Sequence, residues 1–307
     1  MIACLGTIPP TFMMSRGNRA LGGWLVAFAL ALAGCARTRD AGSIRERIDH
    51  GWDRYRLGEY ADARRVFQAA LDTAAPGSDE RLHALYGLAT AWGLQRTDAD
   101  DEKAVSLYLQ VIALAPTNDL AAWSWLAIAR IRSLPVDGEP PPLQPQLAAY
   151  QDCIRRFPFH PAGEEALLFH QAARLQKPDT NAAQRVLAEL EAFLRDHPQS
   201  PWRSAACRLA DHCSALLGQG ERRLAFALEE RRTAEIDPTN PVQDLSLAYW
   251  RIATLAEFEA GDFATAREYY RRLIAEYPQQ QHVFLAKQEL KRMDELEAAI
   301  RREAGAR

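Results

Sequence analysis

The chain has 307 residues, 48% hydrophobic and 25% charged, which is ordinary globular material and enough for two domains or one long repeat array. A formal net charge of −3 and a pI near 6.2 provide no basic footprint, and Lys and Arg are spread along the chain instead of massed in a stripe. Nucleic acid is therefore excluded as a partner class.

In chain order, the first 35 residues read as a leader. Arg16 and Arg19 precede "LGGWLVAFALALA" (21–33), thirteen residues without a charge. That length fits a signal-peptide core and is too short to span a bilayer comfortably. Residues 1–12 are an odd n-region, and a start at Met13 or Met14 gives a conventional one. Leu32-Ala33-Gly34-Cys35 closes the segment and resembles the lipobox of bacterial lipoproteins. The resemblance implies cleavage after residue 34 and lipid attachment at Cys35. Loss of 1–34 removes two Arg and no acids, leaving 35 basic and 40 acidic residues, formally −5. One acyl chain binds a membrane marginally, at roughly 0.8 kcal/mol per buried methylene, whereas the multiple acylation implied by a lipobox anchors permanently. Ala36 after the cysteine, where lipoproteins retained at the inner membrane carry Asp, implies the outer membrane, facing the periplasm. The tether that follows Cys35, residues 36–42, spans at most about 25 Å and holds the first repeat near the membrane.

Beyond the leader, prolines recur. Pro76, Pro116, Pro158, Pro198, Pro238 and Pro278 are separated by 40, 42, 40, 40 and 40 residues, the signature of a repeat array. Each follows an apolar-periodic segment such as "LYLQVIALAP" or "YYRRLIAEYP", and each ends a helix because proline disfavours helical geometry in the residue before it. Two residues on stand Ser78, Asn118, His160, Ser200, Asn240 and Gln280, four of them favoured N-cap types. Pro161, Pro201 and Pro241, or Asp79 and Asp119, follow at a position that tolerates proline and favours acids. "HPQSP" (197–201) is thus a stop followed by a start, and Pro178 opens an inter-helix turn.

Between these marks each unit holds two helices. The last is clearest: Leu245, Ala248, Ile252 and Leu255 form one stripe, and after Gly261 a second runs Phe263, Ala266, Tyr270, Leu273, Tyr277. The first unit matches it with Gly51, a turn at Gly58, then Tyr60, Ala63, Phe67 and Ala70. The pattern of small residue, turn glycine, aromatic, alanine, aromatic and closing proline resembles the tetratricopeptide repeat. It is recognisable in "EKAVSLYLQVIALAP" (102–116) and degenerate in the middle three units, where Gln146, Val186 and Phe226 replace the close-approach alanine and predict looser crossings. A period near 40 also suits HEAT-type arrays, but the aromatic-alanine signature and the single hairpin per unit favour the tetratricopeptide. The expected fold is all-α, an α-solenoid of about six tetratricopeptide-like hairpins over 43–281, with a capping helix and tail over 282–307. Stacking is expected to build one continuous core.

Catalytic chemistry is not legible. There is no glycine-rich phosphate loop, nucleophile elbow or HExxH pair, and no cofactor or metal is expected. Cys207, Cys213 and His212 invite a zinc reading, but six residues apart on a helix the cysteines face different ways, so buried free thiols are expected there and at Cys153. "DADDE" (98–102) lacks the glycine and distal glutamate of a calcium loop and reads as a solvated turn. The proline-rich insertion, 134–146, has no repeat counterpart and reads as a stiff crossing or a docking strip. First helices are expected to line the inner face and carry Arg130, Arg132, Arg174, Arg203, Arg208 and Arg251 with Trp123, Trp202 and Trp250. Such a mixture suits acidic peptides or a free carboxylate, set against a plainer reading of core tryptophans and solvated arginines.

Lipobox and hairpins together resemble the outer-membrane β-barrel assembly lipoproteins, although their tyrosine-rich second unit is absent. Secretin-assembly and cell-division or peptidoglycan-coordinating lipoproteins share the build. The expectation is a non-catalytic, membrane-anchored scaffold that binds protein or peptide segments of a cell-envelope complex. An envelope enzyme is the contrasting class.

Overall fold

The computed structural model describes residues 43–93, 98–135, 139, 141–176, 179–233 and 244–305, within the unit Gly42–Arg307. The leader, Cys35 and its tether, Pro178, Pro238, Asn240 and Pro241 lie outside the described residues, as does part of the insertion.

Among the described residues the chain is all-helical and pairs its helices in order. The hairpins are α1 (Ile44–Arg56) with α2 (Tyr60–Thr73), α3 (Asp79–Trp92) with α4 (Asp98–Leu114), and α5 (Asp119–Arg132) with α6 (Leu143–Arg156). They continue with α7 (Pro161–Arg174) and α8 (Thr180–Asp196), then α9 (Arg203–Leu216) and α10 (Gly220–Thr233). The sixth joins α11 (Ser246–Leu255), a π-helical turn (Ala256–Ala260) and α12 (Phe263–Glu276), and α13 (His282–Gly305) closes the array. This is the expected α-solenoid of six hairpins and a cap.

The proline marks do what their chemistry dictates. The residues that end α6, α8 and α12, namely Phe157, His197 and Tyr277, leave helical geometry immediately before Pro158, Pro198 and Pro278. Ser78 and Asn118 accept backbone N–H groups of Arg81 and Leu120 at 3.2 and 2.7 Å, and His160 does the same through Nδ1 for Ala162 at 3.0 Å. The Ser78 and Asn118 caps each contribute about 1 kcal/mol. Ser200 departs from the expectation. Helix α9 starts at Arg203 with Trp202 as its cap residue, so Pro201 stays in the turn. The Ser200 hydroxyl still accepts the Trp202 N–H at 3.1 Å, but it also donates to Glu164 at 2.7 Å, a tertiary demand that displaces the helix start.

Two further expectations are corrected. "DADDE" opens α4 instead of forming a turn, because acids in a first turn complement the helix dipole. The insertion is shorter than 134–146: α6 begins at Leu143, and Pro145 sits in its first turn, where no backbone donor is lost.

First helices meet their successors in the next hairpin backbone to backbone (α1 with α3, α3 with α5, α5 with α7, α7 with α9), while the backbones of the described second helices stay apart and only the Arg222–Glu191 pair, at 3.5 Å, links α10 to α8 among the ion pairs. The first helices therefore form the inner row. Between α9 and α11 the backbones separate, and α10 packs on α11 and its π-turn instead.

The core resolves into four clusters where one was expected. The first surrounds Phe67, Leu85, Tyr108 and Ile128 across α1–α5, and the next surrounds Leu126, Tyr150, Cys153 and Ala166 across α5–α7. A third holds Leu168, Leu187, Leu190, Phe193 and Cys213, and the last holds Tyr249, Ile252, Tyr270, Leu273 and Met293. In the sixth hairpin Ala266, Tyr270 and Leu273 are buried as expected, but Phe263, the first residue of α12, is exposed. On α11, Ile252 and Leu255 of the expected stripe are buried, Leu245 and Ala248 only partly, and Tyr249 and Ala253 join the buried face.

Of the three degenerate units, α7 and α8 make the sparsest backbone contact of any described hairpin, as Val186 in place of alanine predicts. Gln146 also accompanies a thinner α5–α6 contact. Phe226 does not loosen its unit: α9 and α10 pack most extensively of all, with Phe226 only partly buried at the margin of the third cluster.

Candidate interaction surface

The inner row carries the arginines foreseen from the sequence, but most are neither free to meet a ligand nor simply solvated. Arg130, Arg203 and Arg251 join one hairpin to another, while Arg174 and Arg208 pair within their own. Arg130 of α5 pairs with Glu165 of α7, and its guanidinium lies 5.3 Å over the Phe169 ring. Arg251 of α11 reaches Asp211 of α9 at 2.8 Å and Glu230 of α10 at 2.9 Å, while Arg208 meets Glu230 at 3.0 Å. Arg174 holds Glu189 at 2.8 Å within its own hairpin. Arg203 pairs with Glu229 at 2.6 Å and donates to the Leu194 carbonyl, closing the end of α8. Arg132, by contrast, is exposed at the end of α5.

The tryptophans are half-buried wedges. Trp202 donates its indole N–H to the Pro161 carbonyl at 2.8 Å, across one full unit. Trp250 stacks on His282 with ring centres 5.0 Å apart, tying α11 to the cap. Trp123 meets His160 edge-on at 5.7 Å. Neither an open Arg and Trp groove nor simply solvated arginines describes the inner row, which presents paired charges and aromatic edges.

Sequence reasoning missed the acidic partners, Glu165, Asp211 and Glu230. Burial raises the Glu165 carboxyl above its ordinary range against the pull of Arg130, because the side chain is only 3% exposed. Burial likewise lowers the His170 imidazole, helped by Arg174 beside it. The missed signal is periodic. Arg130–Glu165, Arg223–Glu259, Arg251–Asp211 and Arg292–Glu257 lie 35, 36, 40 and 35 residues apart, so opposite charges face each other one repeat on.

The cysteines are packing groups. Cys153, Cys207 and Cys213 are buried free thiols, and burial raises them to about 12, 11 and 11 respectively. His212 faces solvent between the latter two. No group of three or more His, Cys, Asp or Glu able to hold a metal occurs among the described residues. No described helix is long and apolar enough to cross a membrane.

The family model for the tetratricopeptide repeat matches residues 247–279, the unit whose stripes are clearest in the sequence. This segment is similar to the tetratricopeptide repeat. The other hairpins repeat its helical arrangement with weaker signatures. No curated protein matches the chain. Similar solved structures include PilF of Pseudomonas aeruginosa, 14% identical, covering 81% of this chain and 97% of its own at a TM-score of 0.49. PilW, described as a widely conserved type IV pilus biogenesis factor, is 15% identical over 79% of this chain and 97% of its own, with a TM-score of 0.49. A tetratricopeptide repeat protein from Parabacteroides merdae is 16% identical over 82% and 86%, at 0.44. Similarities of this size carry no conclusion about partner or location.

Proposed function

We propose that this chain is a lipid-anchored, non-catalytic scaffold of the bacterial envelope that binds protein or peptide segments of an outer-membrane assembly complex, secretin assembly included. The observation that carries the reading is the order of its parts: a leader ending in Leu32-Ala33-Gly34-Cys35, a tether of seven residues, then a hairpin array beginning at α1. An array of this kind offers an extended inner surface with each repeat supported by its neighbours. Paired arginines and aromatic edges on that surface suit a segment that presents both apolar side chains and hydrogen-bonding backbone. The acyl group on Cys35 confines recognition to the membrane surface, on its periplasmic side.

Two measurements test the reading. Cys35→Ala releases a soluble, still helical protein, and a variant that stayed in the membrane fraction would overturn the anchor. Gentle crosslinking in cells followed by purification recovers an envelope complex. Turnover of muropeptides by the purified protein alone would sink the scaffold reading in favour of an enzyme.

A further inference from the structure

The two helices of the fourth hairpin pack mainly on different neighbours, α7 on α6 and α8 on α9. At its start α7 is seated on α6 without room for adjustment: a Cβ on Gly163 would lie 1.9 Å from the Phe157 carbonyl oxygen. Ala162 and Ala166 of α7 sit in the cluster of α5 and α6. Beyond the turn, α8 packs broadly on α9, and α9 packs on α10. Helix α10 is in turn seated on the π-turn after α11, where a Cβ on Gly220 would lie 2.1 Å from the Glu259 carbonyl oxygen. Between these two groups the backbones of α7 and α8 barely meet, and α7 touches α9 lightly.

Polar contacts cross the gap at the two ends of α7. At the first end, the Glu164 carboxylate accepts the Ser200 hydroxyl at 2.7 Å and pairs with His197 Nδ1 at 2.8 Å, next to the Trp202–Pro161 bond. At the second end, Glu189 accepts from Gln171 at 2.6 Å and from Arg174 at 2.8 Å. Leu168, with the partly buried Leu167 and Leu175, makes the apolar contact of this helix and its end with the third cluster.

We propose that the array hinges between α7 and α8, with α1–α7 and α8–α13 moving as two bodies held by these two polar clamps. Hydrogen bonds exchange with water at a net cost of about 1 kcal/mol each, whereas separating packed apolar surface costs in proportion to its area. The junction with least apolar packing therefore opens first, and opening one clamp pivots the bodies about the other. The motion changes the angle between the inner faces of the first four hairpins and the last two, which sets how long a segment the row can grip.

The test uses spin-label distance distributions in the full chain with Cys4→Ala and Cys35→Ala, the three buried thiols being left in place. Labels at Arg65→Cys and Lys291→Cys, both 78% exposed, report across the junction. Pairs Arg65→Cys with Asp152→Cys and Arg222→Cys with Lys291→Cys report within each body. Glu189→Ala, at a half-exposed carboxylate, is expected to widen the cross-junction distribution at least twofold and leave both internal pairs unchanged. Glu164→Gln is expected to do the same from the other clamp. A cross-junction distribution that stays as narrow as the internal ones in both variants overturns the hinge, as does equal widening of all three pairs. If Glu164→Gln fails to fold, Glu189→Ala decides alone.

Discussion

Phe67 and Glu257 occupy comparable places, each buried where one helical layer meets the next, yet opposite physics holds them. Phe67 is fully buried and gripped from two sides: Cβ atoms on Gly51 of α1 and Gly87 of α3 would come within 2.6 and 2.4 Å of its ring. Trp52 adds an edge contact at 5.1 Å. Glu257, with a side chain 1% exposed, sits in the π-turn, accepting the Tyr270 hydroxyl at 2.8 Å and pairing with Arg292 of the cap. The first end of the array is thus held by shape, the last by a desolvated charge that must be matched. A shaped contact weakens in proportion to the volume removed, whereas a buried charge fails when either partner is lost.

The largest effect is expected at Phe67. Phe67→Ala should cost about 3–5 kcal/mol, since the glycines on either side cannot refill the space. The reading is the urea midpoint, and a loss below about 1 kcal/mol would mean that the first two hairpins are not clasped as described.

Arg292→Ala should cost about 3 kcal/mol although Arg292 itself is half exposed, because it strands the Glu257 carboxylate. The comparison sharpens in the double variant Glu257→Met with Arg292→Met. Removing both charges together should recover most of the loss, as replacing a buried pair by apolar groups is often neutral. No such recovery exists for Phe67. If the double variant were as unstable as the single one, the packing of α13 and not the charge would hold that end.

Gly87→Ala isolates shape alone and should cost about 1 kcal/mol. Overpacking against Phe67 costs about 1–3 kcal/mol, while the gain in helix propensity returns up to about 1 kcal/mol. A stabilised Gly87→Ala protein would show that the ring yields and that the clasp is looser than its distances.

These two regions also differ in how plainly they are written in the sequence. The clasp was legible: Gly51, Ala63, Phe67 and Ala70 stand at tetratricopeptide spacing, and periodic apolar residues need only their own helix to declare a face. The hairpin count and the capping helix were legible for the same reason, from prolines that punctuate. The charge network was not, because a buried glutamate looks like a solvated one until the helix one repeat away is known. Val186 announced the loose α7–α8 crossing, whereas Phe226 gave a false alarm, since an aromatic at the margin of a cluster need not push its helix away. The start of α9 was misplaced because Ser200 serves Glu164 as well as its own helix, a tertiary contact no local rule contains. The identity of the arginines was legible, but their pairing was not.

Acid should separate the two ends by the smallest and most selective effect. The Glu229 carboxyl is held down to about 2, chiefly by Arg232, which donates twice to it, and then by Arg203. A depressed carboxyl contributes stability that is complete above its unfolded value near 4.5 and is lost as pH falls toward 2. Protonation releases Arg203, which also closes the last carbonyls of α8, so the loosening begins around α8–α10. Between pH 4.5 and 2 the wild type should lose stability faster than Glu229→Gln, and the two should converge at the acid end. Hydrogen exchange followed segment by segment should show α8–α10 opening before α1–α3, whose clasp sets Phe67 against Gly51, Gly87 and Trp52. Parallel stability curves for the two proteins across that window, or earlier opening of α1–α3, would break the division between a shape-held end and a charge-held end.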